Sequence, residues 1–242
     1  MAEFNQIRCS RCGRLSTVQD KFCSECGMFL RDAYLDQRLL LTMVHERDGL
    51  SQEARREVER LLAVAPEHAL GNHLLGTLCF HHGTLDTAIQ YYREAVAQAP
   101  QFVLGHYDLG VAYYHRGLMT DAARSFRRCL DLDPNYNAAH YRLALAVFHS
   151  GDLELAREHF ELSIALTPEY VMAHYHLGVI YERRGDFEIA IREFERSYEE
   201  SVGDVSSLFH LAQIRRAMGD PAAADELLRR ACKAHAAPAQ AQ

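Results

Sequence analysis

Six glycines in this chain stand at one fixed interval: Gly49, Gly83, Gly117, Gly151, Gly185 and Gly219 are each 34 residues apart. Prolines keep the same interval at Pro66, Pro100, Pro134 and Pro168, and an alanine follows every glycine at one offset, Ala54, Ala88, Ala122, Ala156, Ala190 and Ala224. Chance does not produce three phase-locked series. A chain built this way must fold as a stack of similar units, because one short repeat can bury its apolar face only against its neighbours. The phase defines six units, 35-68, 69-102, 103-136, 137-170, 171-204 and 205-238. Residues 1-34 precede the repeat, and 239-242 form a tail expected to fray.

Each unit reads as two helices. In the third, Leu104, Tyr107, Leu109, Gly110, Val111 and Tyr114 carry the apolar period of the first helix, and Ala122, Phe126, Cys129 and Leu130 share one face of the second. Glycine between them accepts a left-handed backbone, and Asp152 or Asp186 is placed to cap the helix that follows. The Asp-Pro of LDLDPN stops the second helix. Gly76, Gly110, Ala144, Gly178 and Ala212 fall within first helices, where glycine costs about 1 kcal/mol relative to alanine. That cost implies close approach of the paired helix. Tyr92, Phe126, Phe160, Phe194 and Leu228 supply the bulk on the other side, beside Leu75, Leu109, Leu143, Leu177 and Leu211.

YDLGVAYYHRGLMTDAARSFRRCLDLDP, YRLALAVFHSGDLELAREHFELSIALTP and YHLGVIYERRGDFEIAIREFERSYEE resemble tetratricopeptide repeats, with their large-small pair, turn glycine, alanine, aromatic and terminal proline. The resemblance covers residues 35-238. The first unit is degenerate but in phase, and the sixth lacks the proline. It implies an all-α fold, a right-handed superhelix of six helix pairs whose first helices line a concave groove. It also implies groove positions at the second, fifth, ninth, twelfth and thirteenth residues of each unit. The expected partner-binding residues are His73, Phe80 and His81 in the second unit and Tyr107, Val111, Tyr114 and His115 in the third. Tyr141, Leu145, Phe148 and His149 follow in the fourth, and Tyr175 and Val179 in the fifth. This stripe is aromatic and apolar with a histidine rim, and suits a helix or extended peptide. The competing reading is that several of the tyrosines pack between units. The ninth positions, Thr77, Val111, Leu145 and Val179, hold no asparagine, and the fifth hold no lysine, so the carboxylate clamp of some family members is not expected. His106, His140 and His174 recur at the fourth position, which implies a repeated packing or hydrogen-bonding role.

The first 34 residues contain Cys9-x2-Cys12 and Cys23-x2-Cys26, each pair followed by glycine. CSRCG and CSECG look like the paired knuckles of a small zinc ribbon, with four thiolates for one structural Zn2+ and no open coordination position. A rubredoxin-type iron site and redox-active cysteines use the same residues and stay open as alternatives. The ribbon is expected to cap the repeats or contact protein, and nucleic-acid contact is the weaker option.

Composition bounds the function. Formal net charge is -7, from 33 acidic and 26 basic residues, which argues against general nucleic-acid binding. The longest apolar run, Leu39 to Val44, is far too short to span a membrane, and the N-terminus lacks the apolar core of a signal peptide. Seven cysteines do not form a secreted disulfide framework, so a cytoplasmic location is expected. Cys79, Cys129 and Cys232 fall at packing phases and are expected to be buried. No phosphate-binding loop, dinucleotide fingerprint, HExxH or GxSxG motif occurs. The expectation is a non-enzymatic scaffold or assembly adaptor that binds a protein or peptide in the groove. The alternatives are a regulator whose ribbon touches nucleic acid while the repeats recruit protein, and a noncatalytic recruiting subunit of a larger enzyme.

Overall fold

The computed structural model describes residues 6-8, 15-17, 51-201 and 205-236. The chain divides into two compact units, Met1–Gly117 and Leu118–Gln242. In the first, strands β1 (Gln6–Arg8) and β2 (Leu15–Thr17) pair antiparallel with Ile7 opposite Ser16. Among the described residues four helices follow: α1 (Ser51–Val64), α2 (Ala69–His81), α3 (Leu85–Gln98) and α4 (Val103–His115). The second unit holds α5 (Met119–Leu132), α6 (Asn137–His149), α7 (Leu153–Leu166), α8 (Val171–Arg184), α9 (Phe187–Glu200), α10 (Val205–Ala217) and α11 (Pro221–Ala236). Within each unit the main helix contacts are between sequence neighbours, the nearest-neighbour packing of a repeat array.

The helix pairs keep the 34-residue phase. Gly83, Gly117, Gly151, Gly185 and Gly219 all adopt positive φ, between 76° and 89°, the left-handed region that a Cβ disfavours. Asp152 accepts a hydrogen bond from the Leu155 amide and caps α7. Asp186 makes no such bond and instead pairs with Arg184 at 3.1 Å. The close approaches anticipated at mid-helix glycines are real. A Cβ on Gly76 would lie 2.8 Å from the Tyr92 ring, and one on Gly178 would lie 2.8 Å from the Phe194 ring. Phe126, Phe160 and Phe194 are fully buried, and burial of such a side chain stabilises by about 1.5–3 kcal/mol. Cys79 and Cys129 are buried as expected, but Cys232 is exposed on α11.

The fourth-position residues explain the terminal prolines. His106, His140 and His174 each place Nε2 at 2.9–3.1 Å from the carbonyl of the proline six residues earlier, Pro100, Pro134 and Pro168. Asn72 does the same for Pro66 at 2.9 Å. A carbonyl just past a helix end lacks an intrahelical donor, and this side chain from the next first helix supplies one.

One expectation is corrected here. Among the described residues no group of three or more His, Cys, Asp or Glu is arranged to hold a metal. Cys9, Cys12, Cys23 and Cys26 lie outside the described residues, and the two strands described in that segment contain no cysteine. A four-thiolate centre requires both pairs to converge on one point, which spacing alone does not establish. The fold class that the described residues support is the all-α solenoid of paired helices; among them neither a zinc ribbon nor a Zn2+ site is supported.

Candidate partner-binding faces of the first helices

The stripe expected to bind a partner is not uniform, and each unit divides it between packing and exposed surface. In the first unit, α2 and α4 carry the relevant side chains. His73 is buried, with Nε2 2.7 Å from Asp108 Oδ2 and its ring 5.0 Å from Phe102. His73 Nδ1 is buried with no hydrogen-bond partner. Phe80, Tyr107, Val111 and Tyr114 are half-buried, whereas His81 and His115 are exposed. Phe80 meets the His115 ring edge-on at 5.4 Å.

In the second unit, α6, α8 and α10 repeat the arrangement. Tyr141 and Leu145 are buried. Tyr141 packs on Phe160 and Tyr170, with centroids 5.6 and 4.9 Å away. Phe148, Tyr175 and Val179 are half-buried and His149 is exposed. The Tyr175 hydroxyl lies 3.2 Å from His210 Nε2, and His210 Nδ1 lies 2.7 Å from Glu182 Oε2. Arg183 is exposed, with its guanidinium 4.8 Å from the centre of the Phe148 ring, a cation–π contact.

Two rules of contact emerge. The fifth residue of one first helix meets the sixth residue of the next: His73 with Asp108, Tyr141 with His176 at 6.0 Å between rings, and Tyr175 with His210. The twelfth residue meets the thirteenth of the next: Phe80 with His115, and Phe148 with Arg183. Fifth positions are thus engaged in repeat-to-repeat packing, and twelfth and thirteenth positions form the accessible aromatic and basic rim. Sequence reasoning missed the sixth-position residues His176 and His210. A 35-residue offset between polar and aromatic partners was the available signal. Leu70, Leu104 and Met172, all at second positions, are exposed apolar residues that extend the same faces.

The interior of these pairs is ionisable. His140 and His159 face each other through Nδ1 atoms 3.0 Å apart. The Pro134 carbonyl can only accept, so His140 donates from Nε2, and one of the two facing Nδ1 atoms donates to the other. Burial, then the neighbouring His140 and Arg127, pushes the His159 pKa down to about 4. At the equivalent place one unit later, Glu193 replaces His159 and sits 2.7 Å from His174 Nδ1. The hydrogen bond that His174 donates to Glu193 is the first cause that raises the His174 pKa.

These helix pairs, with a half-buried aromatic rim on their first helices, define a helical-repeat scaffold of the kind that mediates protein–protein interaction. Tetratricopeptide repeat models match residues 43–102, 95–137, 107–171, 163–205 and 206–236. The chain belongs to the tetratricopeptide repeat family. A comparison with curated proteins gives no match. Among solved structures, the chain is similar to MamA at 25% identity and a TM-score of 0.67, over 69% of this chain and 98% of MamA. It is similar to pilF of Pseudomonas aeruginosa at 16% identity and a TM-score of 0.68, over 81% of this chain and 90% of pilF. It also resembles YrrB, described as a TPR protein with an unusual peptide-binding site, at 16% identity and a TM-score of 0.65 over 75% of this chain and 93% of YrrB. No described helix is long and apolar enough to cross a membrane.

Proposed function

We propose that the chain is a noncatalytic scaffold that holds a peptide or protein segment against the first-helix faces, with Phe80, Tyr107, Tyr114, Phe148 and Tyr175 as its aromatic contacts. The observation that carries this reading is that these rings stay half-buried even where they also pack on neighbouring helices, as Phe80 and Tyr175 do. The helix-pair core is already filled by Leu75 and Tyr92 in the first unit and by Leu143, Phe160 and Phe194 in the second. Aromatic side chains left partly open beside arginine and histidine have the composition of interface anchors. A peptide-binding site is what is described for YrrB, whose fold this chain shares. His81, Val111 and His115 border these contacts in the first unit, and His149 and Val179 do so in the second. His73, Tyr141 and Leu145 contribute by holding the first helices in register. The exposed thiol of Cys232 supports a reducing compartment, and a cytoplasmic location belongs to the proposal.

The test is affinity capture from the native cell with wild-type protein and with the Phe80→Ala/Tyr114→Ala and Phe148→Ala variants, followed by partner identification. Capture falls more than tenfold while the circular dichroism spectrum is retained. Unchanged capture by folded variants moves the interaction to the convex surface and refutes the reading.

A further inference from the structure

The sixth-position side chains of the first helices differ in one respect. Asp108 is satisfied by His73, and His210 by Tyr175 and Glu182. His176, on α8 between them in sequence, makes no hydrogen bond or ion pair with the described residues. It is held by rings alone: stacked on Phe160 at 5.2 Å with an interplanar angle of 12°, and near Tyr175 at 5.3 Å, Phe148 at 5.8 Å and Tyr141 at 6.0 Å. The residue is half-buried, and the one fully buried unpaired side-chain atom among the described residues is His73 Nδ1. The unpaired nitrogens of His176 therefore reach solvent. A polar atom fixed by aromatic walls and left without a protein partner is arranged to receive one from outside.

Charge narrows what arrives. Arg183 stands one turn beyond Val179 on the same helix, exposed over Phe148, with no carboxylate paired to it among the described residues. Its neighbour Arg184 is paired twice, with Glu154 and Asp186. A chain of net charge -7 thus presents an uncompensated guanidinium beside an aromatic box.

We propose that His176 and Arg183 form a two-point polar site on the α6–α8 face for an extended acidic peptide. One apolar or aromatic side chain packs on Phe148 and Tyr175, a backbone group bonds the His176 imidazole, and an aspartate or glutamate two or three residues away pairs with Arg183. The geometry is consistent with this register: adjacent side chains of an extended strand are about 3.3 Å apart along the chain, and Arg183 lies about two helical turns from His176. Burial, then His149, depresses the His176 pKa to about 4, which keeps the imidazole neutral and able to accept as well as donate near neutral pH. The inference rests on the peptide-binding reading above and specifies its ligand.

The experiment is selection of a random displayed dodecapeptide library on the full chain, then affinity measurement with synthetic copies of the selected peptides. The variants are His176→Phe, which keeps a ring to stack on Phe160 and removes both nitrogens, Arg183→Gln, and Phe80→Ala/Tyr114→Ala in the other unit. Selected peptides carry an apolar residue within three positions of Asp or Glu, and lose at least tenfold in affinity to each of the first two variants. Exchange of that acidic residue for its amide weakens binding to wild type and not to Arg183→Gln. Peptides that ignore both variants but lose affinity to Phe80→Ala/Tyr114→Ala overturn this site and leave the first-helix reading standing. A library that yields no binder, or only binders indifferent to all three variants, overturns both.

Discussion

His174 Nδ1 lies 2.7 Å from Glu193 Oε2, and the Pro168 carbonyl faces the other ring nitrogen at 3.1 Å. Both nitrogens meet acceptors, so the ring is fully satisfied only as the imidazolium. One unit earlier His140 occupies the same position and faces His159. Two adjacent repeats therefore set different partners, a second imidazole and a carboxylate, against one histidine position.

Glu193→Gln destabilises the protein by about 1–3 kcal/mol near pH 6, the range for a hydrogen bond to a charged group. The sign follows from a raised pKa: the contribution is fully present below the unfolded imidazole value of about 6.5 and is lost as pH rises through the folded value. Urea unfolding of wild type and variant from pH 5 to 9 measures it, and the two curves converge at high pH. A constant offset across that range contradicts the imidazolium assignment.

His159 and His176 behave in the opposite sense. Both are depressed to about 4, so the unfolded chain binds protons that the native rings refuse. Stability falls as pH drops from about 6.5 toward 4. Thermal melts in this window fall less steeply for His159→Gln than for wild type.

Gly178→Ala and Gly76→Ala destabilise the fold although alanine is the better helix former by about 1 kcal/mol. The added methyl group meets a ring at 2.8 Å in each case. The Phe194 and Tyr92 rings are themselves buried, and overpacking costs about 1–3 kcal/mol. Denaturant midpoints of the two variants provide the check.

Tyr141→Ala and Phe148→Ala separate packing from recognition. Tyr141 is buried against Phe160 and Tyr170, and its truncation lowers stability by about 3–5 kcal/mol, as for other buried aromatics. Phe148 is half-buried, and its truncation lowers partner capture with a smaller change in melting temperature. Equal losses of stability in the two variants would place Phe148 in the core.

Helix phase over the described residues, five turn glycines and the aromatic–glycine contacts were legible in the chain because each depends on neighbours within one 34-residue period. The fourth-position histidines signalled a shared bond, although not that the proline carbonyl accepts it. The zinc ribbon expected from Cys9, Cys12, Cys23 and Cys26 finds no support among the described residues, which do not include those cysteines, and paired spacing within a turn does not by itself establish that two turns converge. Cys232 was misread because a packing phase marks the face a residue occupies and not whether another side chain covers it.

Sequence by itself determined the architecture: a period of 34 with glycine, alanine and proline in lock dictates stacked helix pairs, because no single pair can bury its own apolar face. Tertiary structure decided which members of the repeated stripe are surface. Tyr141 and Tyr175 share one sequence position, yet one is buried against Phe160 and Tyr170 while the other is half-open and bonds His210. The physical reason is that exposure and hydrogen bonding are set by what stands opposite, 35 residues away in the adjoining repeat for the fifth position and 19 away in the same repeat for the fourth, and a period alone does not state whether that partner is a ring, a carboxylate or nothing.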